Sequence, residues 1–282
     1  MLTTLVSTAA LAGMLDDPAL VLCDLRYDLA RPDAWGEEQF RAGHIPGARY
    51  VHIDRNLSAP KSGTNGRHPL PTPEVAAAQF AQLGISADQQ VVVYDQGSGM
   101  FAARMWWMLR WLGHEAVAVL DGGIAAWTAQ QRPVTTTVMP YAPADFRIRK
   151  VTPHVNTAGI RASIARRTLL VVDARAPERY RGETEPFDPV AGHIPGARNR
   201  PASLNLDANG TFKSPAVLHA EFDTLLAGTE AGLVVHHCGS GITACHNLLA
   251  MEVAGFPATR LYPGSWSEWC ADPTRPVATG PC

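Results

Sequence analysis

Short, continuously apolar runs recur along this chain, separated by stretches with helical spacing. Residues 19–23 end at Asp24, and residues 91–94 and 117–120 follow. Residues 169–172, 233–235 and 260–262 fill the same places further on. Runs this short, rich in valine and leucine, suit strands buried on both faces. Residues 102–112 and 244–253 suit apolar helices. Ser7-Thr8 ahead of Ala9, Ala10 and Leu11 reads as a capped helix start. Buried strands alternating with helices predict parallel sheets with crossover connections, hence the α/β class.

The pattern occurs twice because the chain repeats itself. Residues 42–49, Ala-Gly-His-Ile-Pro-Gly-Ala-Arg, recur identically at 191–198. Asp24-Leu25-Arg26 matches Asp173-Ala174-Arg175 at the same offset. Gln96-Gly97-Ser98-Gly99 matches Cys238-Gly239-Ser240-Gly241, and Trp127 matches Trp269. The period exceeds the roughly 20–50 residues of solenoid repeats, so it is a duplicated domain. The expected boundaries are residues 1–132, a Thr/Pro-containing linker at 133–153, and residues 154–282.

Composition narrows the function classes. With 282 residues, 46% of them hydrophobic, the chain suits two domains of ordinary size. A formal net charge of −2 argues against a nucleic-acid partner. No apolar run approaches the ~20 residues of a membrane span, and the first 17 residues lack a cationic start, so neither a membrane partner nor a cleaved signal peptide is expected. Five cysteines without a Cys-x-x-Cys pair predict no metal site and suit a reducing cytoplasm.

One cysteine is placed for chemistry. Cys238 stands between an apolar run and the 244–253 helix, where backbone N–H groups and the helix dipole favour negative charge. The thiolate is the nucleophile, and the first copy has Gln96 in its place. Gly239 and Gly241 let the loop curl so that N–H groups face one point, with Ile242 and Thr243 completing it. Cys23 and Cys245 read as inert core thiols. Ser240 and Thr243 either cap the following helix or, for Ser240, face the ligand. His44 and His193 occur in both copies and so read as structural hydrogen bonders. His236 and His237 read as satisfied strand histidines. Arg179, Arg181 and Arg200 are forks able to hold an anionic substrate or ordinary surface residues. A cysteine phosphatase would need an arginine where Ala244 stands, so that reading fails. A non-catalytic sulfur carrier or binding module remains as an alternative.

These residues resemble the tandem-domain rhodanese family of sulfurtransferases. The resemblance rests on the doubled Gly-His-Ile-Pro-Gly, a cysteine in the second copy alone, and the closing Gly264-Ser265-Trp266-Ser267-Glu268-Trp269. It implies, twice over, a mainly parallel sheet with helices on both faces. The loop Cys-Gly-Ser-Gly-Ile-Thr looks like the 3-mercaptopyruvate sulfurtransferase branch, with thiosulfate as the alternative donor. Sulfur would pass through a Cys238 persulfide to thioredoxin, glutathione, another thiol or cyanide. The resemblance implies no cofactor. It implies a relay of Ser240, His68 and Asp54, the last two in the Pro/Gly-rich loop after the first repeat motif. It also implies two substrate arginines. The first maps to Arg179. The second falls near Phe187-Asp188, where there is none, and Arg181 or Arg200 is expected to substitute.

Overall fold

The computed structural model describes residues 1–281. The chain forms two compact units. The first comprises Met1–Ser58, Pro71–Thr152 and Ala208–Phe212; the second comprises Ala59–Leu70, Pro153–Asp207 and Lys213 onward.

The first unit has five parallel strands, β1 (Leu5–Val6), β2 (Leu20–Asp24), β3 (Ala48–Tyr50), β4 (Gln90–Tyr94) and β5 (Val117–Leu120), in the order β1-β5-β4-β2-β3. In the second, β6 (Leu170–Asp173), β7 (Arg198–Asn199), β8 (Val234–His237) and β9 (Arg260–Leu261) take the order β7-β6-β8-β9. The second order is the first without β1. The central strands are the runs the sequence marks most strongly. Val91, Val92, Val93 and Tyr94 of β4 are all fully buried, as parallel strands covered by crossover helices must be. Helix Ala102–Trp111 and helix Ala244–Val253 follow the equivalent strands β4 and β8.

The duplicated residues make duplicated contacts. Asp24 and Asp173 end β2 and β6, and each holds an arginine two residues on through Nε and Nη2. Nη2 of Arg26 also donates to the Gly43 carbonyl and that of Arg175 to the Gly192 carbonyl, both at 2.7 Å. The adjoining histidines have the structural role expected of them. His44 stacks on Phe40 and bonds its carbonyl through Nδ1; His193 does the same with Tyr180. Trp127 and Trp269 each donate Nε1–H to a proline carbonyl, of Pro133 and Pro276.

The stretch 133–153 has no helix or named strand of its own, yet all of it up to Thr152 belongs to the first unit. Thr135 bridges His44 as Ala278 bridges His193, so its opening residues close the first repeat as the chain's last residues close the second. Further along, Arg149 and Thr152 donate backbone N–H groups to the carbonyls of Leu112 and Trp111. Asp54 is not in a loop, as its sequence neighbourhood suggested. It lies in the first turn of the helix Ile53–Leu57, which His52 caps through Nδ1. Among the described residues, no helix is long and apolar enough to cross a membrane.

Candidate active site

Cys238 follows β8 directly, and its loop is held from outside by the closing motif. Ser265 Oγ accepts the Cys238 N–H at 3.1 Å and donates to the Tyr262 carbonyl at 2.9 Å. The N–H groups of Trp266 and Ser267 donate to the carbonyls of Cys238 and Gly239. Ser265 does this with φ +56°, a left-handed backbone that a non-glycine residue adopts only when its surroundings hold it there. Its counterpart in the first unit is Gly123, also at +56°.

Within the loop, Gly241 N donates to Cys238 Sγ at 3.2 Å. The two glycines have separate reasons. Gly241 has φ +79°, and a Cβ there would stand 2.2 Å from the Pro263 carbonyl oxygen. At Gly239 the obstacle is a pair of guanidinium groups. A Cβ would lie 2.7 Å from Arg67 Nη2 and 3.3 Å from Arg179 Nη2. Ile242 is buried, and Thr243 precedes the helix Ala244–Val253 without capping it through its side chain. Ser240 does not cap that helix either. Its Oγ lies 2.7 Å from His68 Nδ1, a buried hydrogen bond between residues 172 apart in sequence. His68 arrives on Ala59–Leu70, the segment that packs with the second unit. That segment is held by Arg67 N–H donating to Ser267 Oγ at 3.0 Å. Asp54 belongs to the first unit, where its carboxylate accepts the Tyr27 hydroxyl. Burial, with that bond second, raises the Tyr27 phenol far above its usual value.

The arginines divide differently from expectation. Arg179 is beside the loop as expected, gripped by Glu185 through Nε and Nη2. Arg181 pairs with Glu183 at the surface. Arg200 is bonded to Glu221, Asn205 and the Leu204 carbonyl, over the ring of Phe222. Both are therefore engaged elsewhere, and the second guanidinium at Gly239 is that of Arg67. Its proximity to His68 was visible in the sequence, but no spacing tied it to residue 239. Phe187 and Asp188 explain its placement. Arg67 bonds Asp188 at 2.9 and 3.2 Å and sits over the Phe187 ring, which Arg179 also faces.

Among the described residues, Cys23, Cys245, Cys270, His236 and His237 are buried. Burial raises Cys23 to about 12 and Cys270 to about 11. Cys245 donates to the Gly241 carbonyl. Burial lowers His236 to about 3 and also lowers His237, so both are neutral at neutral pH. His237 Nδ1 lies 3.2 Å from the Cys238 carbonyl oxygen and its Nε2 lies 3.6 Å from Asp173.

The first unit's equivalent loop is filled from within. Gln96 bonds the Tyr27 backbone at both ends of its amide. Asp95, at the position of His237, accepts N–H groups from Gly97 and Gly99 on one oxygen and from Phe101 and Ala102 on the other. A buried carboxylate thus occupies the curl of N–H groups that in the second unit includes the bond to sulfur.

Residues 7–130 and 158–272 each match the rhodanese-like domain. A Pseudomonas aeruginosa protein described as a probable 3-mercaptopyruvate sulfurtransferase is 46% identical over 279 residues, 98% of each chain. A Mycobacterium tuberculosis protein described as a putative thiosulfate sulfurtransferase is 39% identical, over 98% of this chain and 97% of that one. Among solved structures, a 3-mercaptopyruvate sulfotransferase from Escherichia coli has a TM-score of 0.81 at 32% identity, covering 94% of this chain and 99% of that one.

Proposed function

The chain belongs to the rhodanese family and is a sulfurtransferase, and from that premise we propose that its donor is 3-mercaptopyruvate and its sulfur carrier a persulfide on Cys238. The observation that carries this reading is the 2.7 Å bond between Ser240 and His68, one residue beyond Gly239 from the nucleophile. The P. aeruginosa relative's description agrees with it.

The donor's thiol sulfur is attacked by the Cys238 thiolate. An S–S bond forms, and the C–S bond breaks with its electron pair passing to carbon as the pyruvate enolate. The proton of the donor thiol ends on that carbon, giving pyruvate and Cys–S–S⁻. Ser240 and His68 are placed to move this proton, which is general acid–base work. Asp54 takes the third place in the relay by the likeness to the family. The loop N–H groups, Gly241 among them, stabilise the sulfur anion. A thiol or cyanide then attacks the outer sulfur and releases the Cys238 thiolate.

Thiosulfate is the second reading, favoured by the description of the mycobacterial relative and by two guanidiniums that suit a dianion. Steady-state kcat/KM with each donor, cyanide as acceptor, decides between them. A higher value for thiosulfate overturns the proposal. Cys238→Ser should abolish transfer from both donors, and mass spectrometry of donor-treated protein should place one added sulfur on Cys238. Sulfur on Cys245 or Cys270 would refute the persulfide assignment.

A further inference from the structure

The repeat keeps what the fold needs, but three positions differ between the copies together. The Asp–Arg clamp, the His-Ile-Pro-Gly turn and the paired tryptophans are alike in both. Tyr27, Asp54 and Gln96 are not. At the offsets that align Asp24 with Asp173 and Gly97 with Gly239, their places are taken by Ala176, Ser203 and Cys238. The second copy therefore lacks the phenol, the carboxylate and the amide that stand together in the first.

Those three residues form one hydrogen-bonded chain. Gln96 stands at the nucleophile's place. Its Nε2 donates to the Tyr27 carbonyl at 3.0 Å, and its Oε1 accepts the Tyr27 N–H at 3.4 Å. The Tyr27 hydroxyl donates to Oδ2 of Asp54. The ring between them is edge-on to His52, with centroids 5.7 Å apart, and tilted against Phe101 at 5.3 Å. His52 in turn caps the helix Ile53–Leu57 that bears Asp54. Burial raises the Tyr27 phenol far above its usual value, so the hydroxyl keeps its proton and stays a donor to the carboxylate. Phenylalanine would fill the same space between His52 and Phe101; the hydroxyl adds a grip on Asp54. A carboxylate held through one oxygen loses its freedom to rotate about Cβ–Cγ, so its orientation is fixed.

We propose that the cysteine-free loop of the first unit has a positioning role: Gln96 holds Tyr27, and Tyr27 orients the Asp54 carboxylate of the proton relay. The residue in the nucleophile's place in one copy then serves the nucleophile of the other. Gln96 and Tyr27 are positioning residues, acting through Asp54. The inference rests on the 3-mercaptopyruvate reading with Asp54 as the third member of the relay. It also gives a reason for the first loop, which lacks the cysteine, to keep the backbone plan of the second, with Gly99 matching Gly241.

Steady-state kinetics with both donors on Tyr27→Phe, Asp54→Asn, the double variant and Gln96→Met tests the chain. Tyr27→Phe keeps the ring and removes the hydroxyl. It should lower kcat for 3-mercaptopyruvate about 10- to 100-fold, the scale of a lost hydrogen bond to a charged group, with KM changed far less. Thiosulfate turnover should fall less. Asp54→Asn should be at least as slow, and adding Tyr27→Phe to it should lower kcat little further, because both act through one carboxylate. Gln96→Met frees the Tyr27 backbone but leaves its hydroxyl. It should lower the same kcat by a smaller factor, and it serves if Tyr27→Phe folds poorly. The proposal and the reading beneath it fail differently. Wild-type protein that prefers thiosulfate, or Asp54→Asn protein that turns over 3-mercaptopyruvate at the wild-type rate, refutes the reading. If Asp54→Asn is slow and Tyr27→Phe is not, the relay stands and the positioning role of Tyr27 is overturned. Effects that multiply in the double variant, or an equal fall in kcat with both donors, overturn it too. A wild-type kcat in Gln96→Met overturns the part given to the loop.

Discussion

In the proposed mechanism a single hydroxyl, that of Ser240, decides whether the loop only holds sulfur or also moves a proton. Helix capping and proton transfer were both compatible with its position in the sequence. The bond to His68 and the absence of any side-chain cap on Ala244–Val253 favour the second. Ser240→Ala and His68→Ala should each slow turnover of 3-mercaptopyruvate by about 10²–10⁴-fold, the usual range for general acid–base assistance. Turnover of thiosulfate should fall less, since sulfite leaves without needing a proton. Rates that fell equally with both donors would mean that the pair only shapes the loop. Gly239 gives a second residue-scale prediction. A methyl group there would stand 2.7 Å from Arg67 Nη2, so Gly239→Ala should displace the guanidinium and raise KM while Cys238 still accepts sulfur.

The two strand–loop–helix elements share a backbone plan and differ in what fills the curl. Gly99 and Gly241 have φ of +77° and +79°. In the first element Asp95 supplies its own anion to four N–H groups. Burial raises this carboxyl and those N–H groups pull it back, leaving it above the ordinary aspartate value. On the proposed reading, the missing cysteine is therefore only part of what separates this loop from the second. Gln96→Cys should gain no persulfide under conditions that label Cys238, because the site for a sulfur anion is already occupied. Mass spectrometry after donor treatment would settle the point; sulfur on residue 96 would show that the carboxylate yields readily. The same comparison explains Ser265. Where the first copy meets a +56° backbone with glycine, the second uses a serine whose hydroxyl holds the Cys238 N–H.

Over the whole molecule, each unit has its own buried core and its own buried Asp–Arg clamp. Burial presses Asp173 upward, while His237 and Arg175 pull it below the ordinary aspartate value. Because burial keeps His237 neutral at neutral pH, the lasting positive charge is that of Arg175. Arg175→Ala would strand a fully buried carboxylate and should cost about 3–5 kcal/mol, read as a lower urea midpoint. The sign with pH follows. A depressed carboxyl contributes stability that is complete above its unfolded value, about 3.9, and is lost as pH falls through the folded value. Wild-type protein should therefore lose stability below about pH 4, and Arg175→Ala should show a flatter acid limb. An identical acid limb in both proteins would remove Arg175 from the explanation.

What the sequence alone determined was whatever is written locally. Apolar runs specify buried parallel strands, and the repeated His-Ile-Pro-Gly specifies two copies. A cysteine between strand and helix marks the proposed nucleophile and the copy that holds it. The short strands β1, β3 and β7 and the helix bearing Asp54 were not legible, because two to five residues carry no period and their neighbours decide them. Arg67 was hidden for a related reason. Its partner Asp188 is 121 residues away, and its place against Gly239 depends on which unit Ala59–Leu70 packs with. Arg181 and Arg200 were nearer to the expected position in sequence, but Glu183 and Glu221 hold them elsewhere. A side chain's partner across such distances is set by the folded backbone and by the competing carboxylates within reach, and those exist only in the tertiary structure.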